Sequence, residues 1–402
     1  MKESRYNYHV SSADSYYVFN TRYQSFAQLT SPDALMHEDN RELAFQQGFI
    51  IADDLDEGAE VMREVLEKIN SPLKELDVTL VLTEACNFRC IYCYQEEKTQ
   101  NAFSQEDEDR FIRFLRQAHA QGLEEVRVHY FGGEPLLNLP RLYSLHTQLQ
   151  RLSQETGLKY KSHITTNGSM LTPQVMRDFE VTGLQLTFDG DAAWHNQYKV
   201  SSDFDYDQLL ERVEQVLSLM PKTQLRIRMN FSKENAESFD AVFDDLFALP
   251  HFDMKRVDFS LQPLRRCNPT MPFTALEPEE FADHWTRYRR KLEKMGVEFA
   301  MPPALSQPCP FSTGRALVLK PGFQICSCLS DYQEGLSLEG LPERVRQGKL
   351  TYEPDDSCMT CEVFPLCLGG CRVKKPGEGG CCIWKHALYD YLLDHCQEGG
   401  VA

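Results

Sequence analysis

Between residues 76 and 300 the chain alternates short β-rich runs with amphipathic helical stretches, and this alternation constrains the fold more than any other feature. The strand-like runs are "LDVTLVLTE", "EVRVHYFGG", "YKSHITTNG", "LQLTFDG", "LRIRMNFS" and "RVDFSLQPL". Helical patterns such as "DRFIRFLRQAHAQG" and "YDQLLERVEQVLSLM" lie between them. Six strand–helix units in series predict parallel pairing with right-handed crossovers, hence an α/β fold of partial (β/α)6 TIM-barrel type. Chemistry in such folds collects at the carboxyl ends of the strands. Four motifs sit there: a cysteine loop, "EACNFRCIYCYQ", after the first strand, then "FGGEP", "TTNG" and "DG" after the next three.

The flanks read differently. Residues 1–75 show a hairpin-like "SYYVFNTRYQSFAQL" followed by helical patterns, a small α+β module ahead of the barrel. Residues 301–402 lack regular apolar periodicity yet hold most of the fourteen cysteines. A segment that buries little apolar surface while carrying many thiols depends on metal for its fold. No apolar run approaches the ~18 residues of a membrane span, and "MKESRYNYHV" lacks a signal-peptide core. The expectation is a cytoplasmic protein with no membrane partner, whose reduced thiols bind metal rather than form a disulfide framework. A net charge of −18 argues against a nucleic-acid partner. Acidic stretches such as "SQEDEDR" and "EPEEFAD" read as solvated helix surface.

Cys86, Cys90 and Cys93 are separated by three and then two residues. Such a loop can be a zinc site, a redox pair or buried small hydrophobes. Zinc normally takes four ligands, and the loop holds no fourth Cys or His. Three thiolates leave one position open, which suits an iron–sulfur cluster whose remaining iron binds substrate or cofactor. The loop resembles the signature of the radical S-adenosylmethionine (SAM) superfamily, with an aromatic just before the third cysteine, here Tyr92. The resemblance implies a [4Fe–4S] cluster on Cys86, Cys90 and Cys93, whose fourth iron binds the amino and carboxylate groups of SAM. It implies reductive cleavage of SAM to a 5′-deoxyadenosyl radical that abstracts hydrogen from an unactivated carbon.

The resemblance also implies roles for the later motifs. Gly132, Gly133 and Glu134 of "FGGEP" match the segment that contacts the methionine amino group, although a double glycine alone reads as a tight turn. Thr166 and Asn167 of "TTNG" lie along the SAM path; alone they form a strand-ending turn. Arg228 and Asn230 of "RIRMN" fit the segment that contacts ribose and carboxylate, and Asp189 of "TFDG" is a further recurring element. Taken singly, Arg228 reads as a surface charge and Asp189 as a turn former.

The remaining cysteines extend the resemblance. Cys358, Cys361, Cys367 and Cys371 fall in "CMTCEVFPLCLGGC", Cys309 lies upstream, Cys326 and Cys328 follow Gly322, and Cys381 and Cys382 lie downstream. A lone Cys-x-x-Cys pair favours zinc or redox chemistry. The full set resembles the SPASM domain, which implies two auxiliary [4Fe–4S] clusters and three in all. The first would be held by Cys309, Cys371 and Cys328, with Cys326 a fourth ligand or one iron left open. The second would be held by Cys358, Cys361, Cys367 and one of Cys381 or Cys382. The chain departs from the family pattern after Gly322, where three and five residues intervene instead of the usual four, and no second cysteine follows Cys309 closely. Cys267 and Cys396 fall outside the pattern and read as free thiols, Cys267 the better candidate for a functional one.

Enzymes with these clusters mostly modify peptides or proteins, many of them ribosomally made precursors. Residues 1–75 resemble the winged-helix-like element that binds leader peptides, where a strand edge captures the leader by β-augmentation; the alternative is a structural cap. The favoured reading is an oxidoreductase, a maturase that cross-links a precursor peptide through carbon–carbon, thioether or ether bonds. The family also implies a flavodoxin- or ferredoxin-type electron donor. The alternatives are side-chain oxidation of the anaerobic sulfatase-maturase type and a metal-binding scaffold without catalysis.

Overall fold

The computed structural model describes residues 1–12, 15–95, 97–266, 270–297, 309–311, 313–326, 328–329, 354, 356–370 and 383–397. The chain divides into two compact units: residues 1–71, 277–313 and 350–402 form one, and residues 72–276 and 314–349 the other. The sequence reading takes three consecutive segments instead, residues 1–75, 76–300 and 301–402. Among the described residues no helix is long and apolar enough to cross a membrane.

In the first unit, β1 (Asn7–Ser12), β2 (Ser15–Asn20) and β3 (Ser25–Leu29) form an antiparallel meander. The expected hairpin thus gains a strand, one that the short run "NYHVSS" barely marks. Side chains alternate across the sheet. Val18 and Leu29 pack on Ala34, Leu35, Ala44, Phe49 and Ile50. On the opposite face Tyr8, Val10 and Phe19 pack on Val363, Leu366, Leu388 and Leu392. Both faces are therefore covered, one by the segment that follows and one by chain more than 300 residues away. Asn20 ties the meander to that following segment, its amide donating to Ser4 Oγ, Asn7 Oδ1 and Gly48 O.

Helix Glu57–Ile69 is capped by Asp56, whose carboxylate accepts from Ala59 N at 3.2 Å. Its Val61, Val65 and Ile69 recur every fourth residue and form one stripe, packed with Tyr6, Cys358, Phe364 and Leu368. Helix Pro278–Lys294, expected as part of the barrel, instead packs beside helix Ile383–Gln397. The buried Arg289 bonds Glu293 and Asp394 there, and Arg290 reaches Asp394 at 2.7 Å.

Among the described residues, the main sheet of the second unit has eight strands: β4 (Glu75–Thr83), β5 (Glu125–Gly132), β6 (Lys159–Thr165), β7 (Gly183–Phe188), β8 (Gln224–Phe231), β9 (Val257–Pro263), β10 (Ala316–Lys320) and β11 (Gln324–Cys326). Their order is β9-β8-β7-β6-β5-β4-β10-β11, parallel throughout except for the last pair. The six expected strands lie side by side in chain order with no switch point, unlike those of a doubly wound sheet. β10 and β11 were not expected. "ALVLK" is buried nearly throughout and so shows no alternation for a sequence reading to detect.

One face of these strands is apolar, with Leu76, Val78, Leu80, Val126, Val128 and Ile227 buried. The other is polar: Asp77, Arg127, His129, His163, Gln185, Thr187 and Arg228 alternate with that core. Arg127 bonds Asp77 at 2.5 Å, and His129 Nε2 lies 2.7 Å from Thr165 Oγ1. Burial pushes the His129 ring down to about 4, so it is neutral near pH 7.

Candidate functional site

The cysteine loop leaves the carboxyl end of β4. It is anchored by side chains that are not cysteines. Phe88 is buried against Phe204, and Arg89–Cys90 forms a two-residue ladder with Lys199–Val200. Asn87 accepts from Asn167 Nδ2 at 2.9 Å and donates to Ser169 Oγ at 2.9 Å. Ile91 and Tyr92 pack with Tyr198, Leu264, Met271 and Phe273.

Held this way, Cys86, Cys90 and Cys93 line one cavity of about 990 Å³, with Lys98 and Met271 also in its wall. That volume suits a cluster with a small-molecule cofactor. Among the described residues no three His, Cys, Asp or Glu side chains gather closely enough for a single metal ion, which needs sulfur at about 2.3 Å from each ligand. Burial pushes the Cys90 thiol up to about 12 against the pull of Lys199, and raises Cys86 against Lys98. A soft cation that deprotonates the thiols removes this penalty.

The two glycines of "FGGEP" fit the loop by close approach. A Cβ on Gly132 would lie 2.2 Å from Thr83 O, and one on Gly133 2.2 Å from Ala85 O. Gly132 also has φ +147°. Gly133 N and Glu134 N donate to Thr83 O and Ala85 O. Gly133→Ala is accordingly expected to destabilise the fold by about 1–3 kcal/mol through backbone displacement, read as a lower denaturation midpoint at unchanged m-value.

The carboxylate of Glu134 is fully buried and committed to protein partners. Oε1 accepts from Leu136 N and Thr166 Oγ1 at 3.0 and 2.7 Å, and Oε2 accepts from Asn167 N at 2.7 Å. Burial raises its pKa, and these three donors oppose the rise. Asp189 is equally committed: Oδ2 accepts from Tyr92 OH at 2.6 Å and Oδ1 from Asn230 Nδ2 at 2.9 Å. Asn230 Oδ1 in turn accepts from Arg228 Nε at 2.8 Å. Thr166 and Asn167 complete the picture, bonded to Glu134, Gly168, Ser169 and Asn87.

The structure thus brings seven of the eight side chains and backbones expected to contact SAM into two buried ties. Gly132, Gly133, Glu134, Thr166 and Asn167 link the second and third strand ends to the cysteine loop. Asp189 and Asn230 link the fourth and fifth strand ends to Tyr92. Arg228 is the exception, since only its Nε is bonded to a described partner. The sequence reading missed a second cation. Lys199 is 6% exposed and makes no side-chain hydrogen bond or ion pair among the described residues. Its charge is felt at Cys90, Glu134 and Asp189. "HNQYKV" gives no local sign of this, because burial of the lysine comes from its ladder with Cys90.

Residues 80–246 match the family model of the radical SAM superfamily. This segment is a radical SAM domain. Such a domain takes a [4Fe–4S] cluster and SAM. The chain is 21% identical to the GTP 3′,8-cyclase of Staphylococcus carnosus (strain TM300) over 303 residues, 69% of this chain and 85% of that protein. Relatives at 30–36% identity align over less than half of their own length. Among solved structures, the chain is similar to Streptococcus suis SuiB bound to precursor peptide SuiA, with TM-score 0.54, 14% identity, and 94% of this chain and 98% of that one covered. It is also similar to anSMEcpe with bound AdoMet, with TM-score 0.62, 15% identity, and 81% and 98% covered. These likenesses are of fold.

The carboxy-terminal thiols are partly placed. Cys358, Cys361 and Cys367 lie in the first unit with Cys309, and Cys326 and Cys328 in the second. Cys267, Cys371, Cys381 and Cys382, and the side chain of Cys396, lie outside the described residues.

Proposed function

We propose that the chain is a radical SAM maturase that binds a ribosomal precursor peptide through its leader and installs a carbon–carbon, thioether or ether cross-link. The observation that carries this reading is the open edge of β3. With both faces of the meander covered, its outer backbone groups pair with no strand among the described residues. Tyr23, Leu43 and Phe45 stand 47–62% exposed on the same module, and Ser25 Oγ donates to Gln47 O, bringing the end of helix Arg41–Gln46 to the start of β3. An exposed edge beside apolar side chains suits an added strand. The fold likeness to SuiB, solved with its precursor peptide, covers 94% of this chain.

Cys86, Cys90 and Cys93 would hold the cluster at which SAM binds; reduced there, SAM supplies a 5′-deoxyadenosyl radical for hydrogen abstraction. Two auxiliary clusters would be held by Cys309, Cys326, Cys328, Cys358, Cys361, Cys367, Cys371, Cys381 and Cys382, in the alternatives given above, with a flavodoxin- or ferredoxin-type donor supplying electrons. Lys199 and Arg228 offer positive charge to the SAM carboxylate, and the Glu134 and Asp189 ties hold the loops around it. Lys199→Met is expected to weaken SAM binding by at least about ten-fold, the worth of one charged hydrogen bond, with the cluster absorption unchanged. Equal SAM affinity in equilibrium dialysis would remove Lys199 from the site.

The deciding experiment combines the reduced, reconstituted protein, SAM and a precursor peptide encoded beside the gene. The expected product has lost two hydrogens, and tandem mass spectrometry shows two residues joined. A single residue converted to a carbonyl, trapped by a hydrazine, would instead support sulfatase-maturase-like oxidation. The fold likeness to anSMEcpe favours this as the second reading.

A further inference from the structure

In residues 356–370, Cys358 and Cys367 lie on two four-residue helices, Asp356–Met359 and Phe364–Cys367, and Cys361 lies between them. Helices of this length do not persist alone. What packs on them is the amino-terminal module. The buried Cys358, together with Phe364 and Leu368, is enclosed by Tyr6, Val61, Val65 and Ile69, and Cys361 lies against this cluster. Cys361 also touches the second cluster, in which Val363 and Leu366 meet Tyr8, Val10 and Phe19. Hydrogen bonds follow the same surface. Thr21 Oγ1 donates to Glu362 O, and Tyr8 OH donates to Lys385 O at 2.7 Å. Lys385 pairs with Glu362 at 2.8 Å.

One residue shows that this packing shapes the thiol site. Leu368, directly after Cys367, has φ 45° and ψ 48°, a left-handed conformation that is unfavourable for a non-glycine residue. It is held there by its N–H bond to Phe364 O at 2.7 Å and by a side chain 5% exposed among Tyr6, Val61, Val65 and Ile69. Strain of this kind persists only where the surroundings over-determine it.

We propose that the amino-terminal module is the apolar outer shell of the Cys358–Cys361–Cys367 thiol site, so that a [4Fe–4S] cluster held there and the order of the peptide-capturing meander stabilise each other. The coupling of the cluster to peptide capture rests on the leader-binding reading; the shell itself does not. A ligand that binds only the folded site stabilises everything that folds with it, and the linkage is reciprocal. Apolar shells also govern solvent access to the metal they surround.

Hydrogen–deuterium exchange of the full-length protein tests this. Anaerobically reconstituted wild type is compared with the reconstituted Cys358→Ser/Cys361→Ser variant. Amides of β1 and β2 are expected to exchange at least ten-fold faster in the variant, while those of β4 in the second unit do not change. Equal rates in β1 and β2 overturn the proposal. A second variant, Val65→Asn, keeps every thiol and decides the matter if the first is insoluble. It should lose iron and the electron paramagnetic resonance signal of one cluster, and full iron with an unchanged spectrum overturns the proposal. A labelled leader peptide, titrated into wild type and the cysteine variant, separates the two readings. Protection of β1 and β2 without peptide binding leaves the shell standing and sinks leader capture. Peptide binding that weakens with the cluster lost supports both.

Discussion

Replacing Cys86, Cys90 and Cys93 together with Ala is expected to abolish 5′-deoxyadenosine formation under anaerobic reducing conditions while the protein stays folded and its carboxy-terminal iron remains bound. The expectation of a folded variant rests on what anchors the loop. Phe88 in the core, the Asn87 bonds, the ladder of Arg89–Cys90 with Lys199–Val200 and the Tyr92–Asp189 bond all survive loss of the thiols. Loss of thiolate ligands removes the cluster outright. Iron per chain and product formation by chromatography are the measurements. Continued SAM cleavage by the triple variant would sink the assignment of the cysteine loop.

The second large effect concerns deletion of residues 1–71. A module that merely carried the leader could be removed with the rest of the enzyme intact, and the sequence reading of a separate module leads to that expectation. The structure argues otherwise. Deletion would uncover Val363, Phe364, Leu366, Leu368, Leu388 and Leu392, all nearly fully buried. At about 1.5–3 kcal/mol for each apolar side chain, the loss is comparable with the roughly 5–15 kcal/mol that holds a domain folded. The truncated protein is expected to be insoluble, or to retain the second unit with the rest of the first unit unfolded and the iron proposed at Cys358 lost. Sedimentation and iron content distinguish these outcomes from a soluble truncation with full iron, which would show the module to be dispensable for the fold.

The sequence by itself determined the six parallel strands, their order and the motifs at the carboxyl ends of the first four. These follow from local periodicity, and strand–helix alternation admits only one winding. It also determined the thiol triplet and hence the likeness to the radical SAM superfamily, because three cysteines within eight residues carry their chemistry without reference to the rest of the chain. The division of labour around the triplet was decided only by tertiary structure. Glu134 and Asp189 meet their partners across 32–33 and 41–97 residues and are spent on holding loops together. Lys199, unremarkable in sequence, is buried and left without a bonded partner among the described residues by its ladder with a residue more than 100 positions earlier. The same holds for the compact units. The meander and helix Glu57–Ile69 each present an apolar stripe that periodicity can detect, but neither stripe names its partner in the Cys358 segment, which has no such periodicity. Hydrophobic burial is non-directional, so the choice of which stripe meets which, across more than 300 residues, belongs to the folded chain alone.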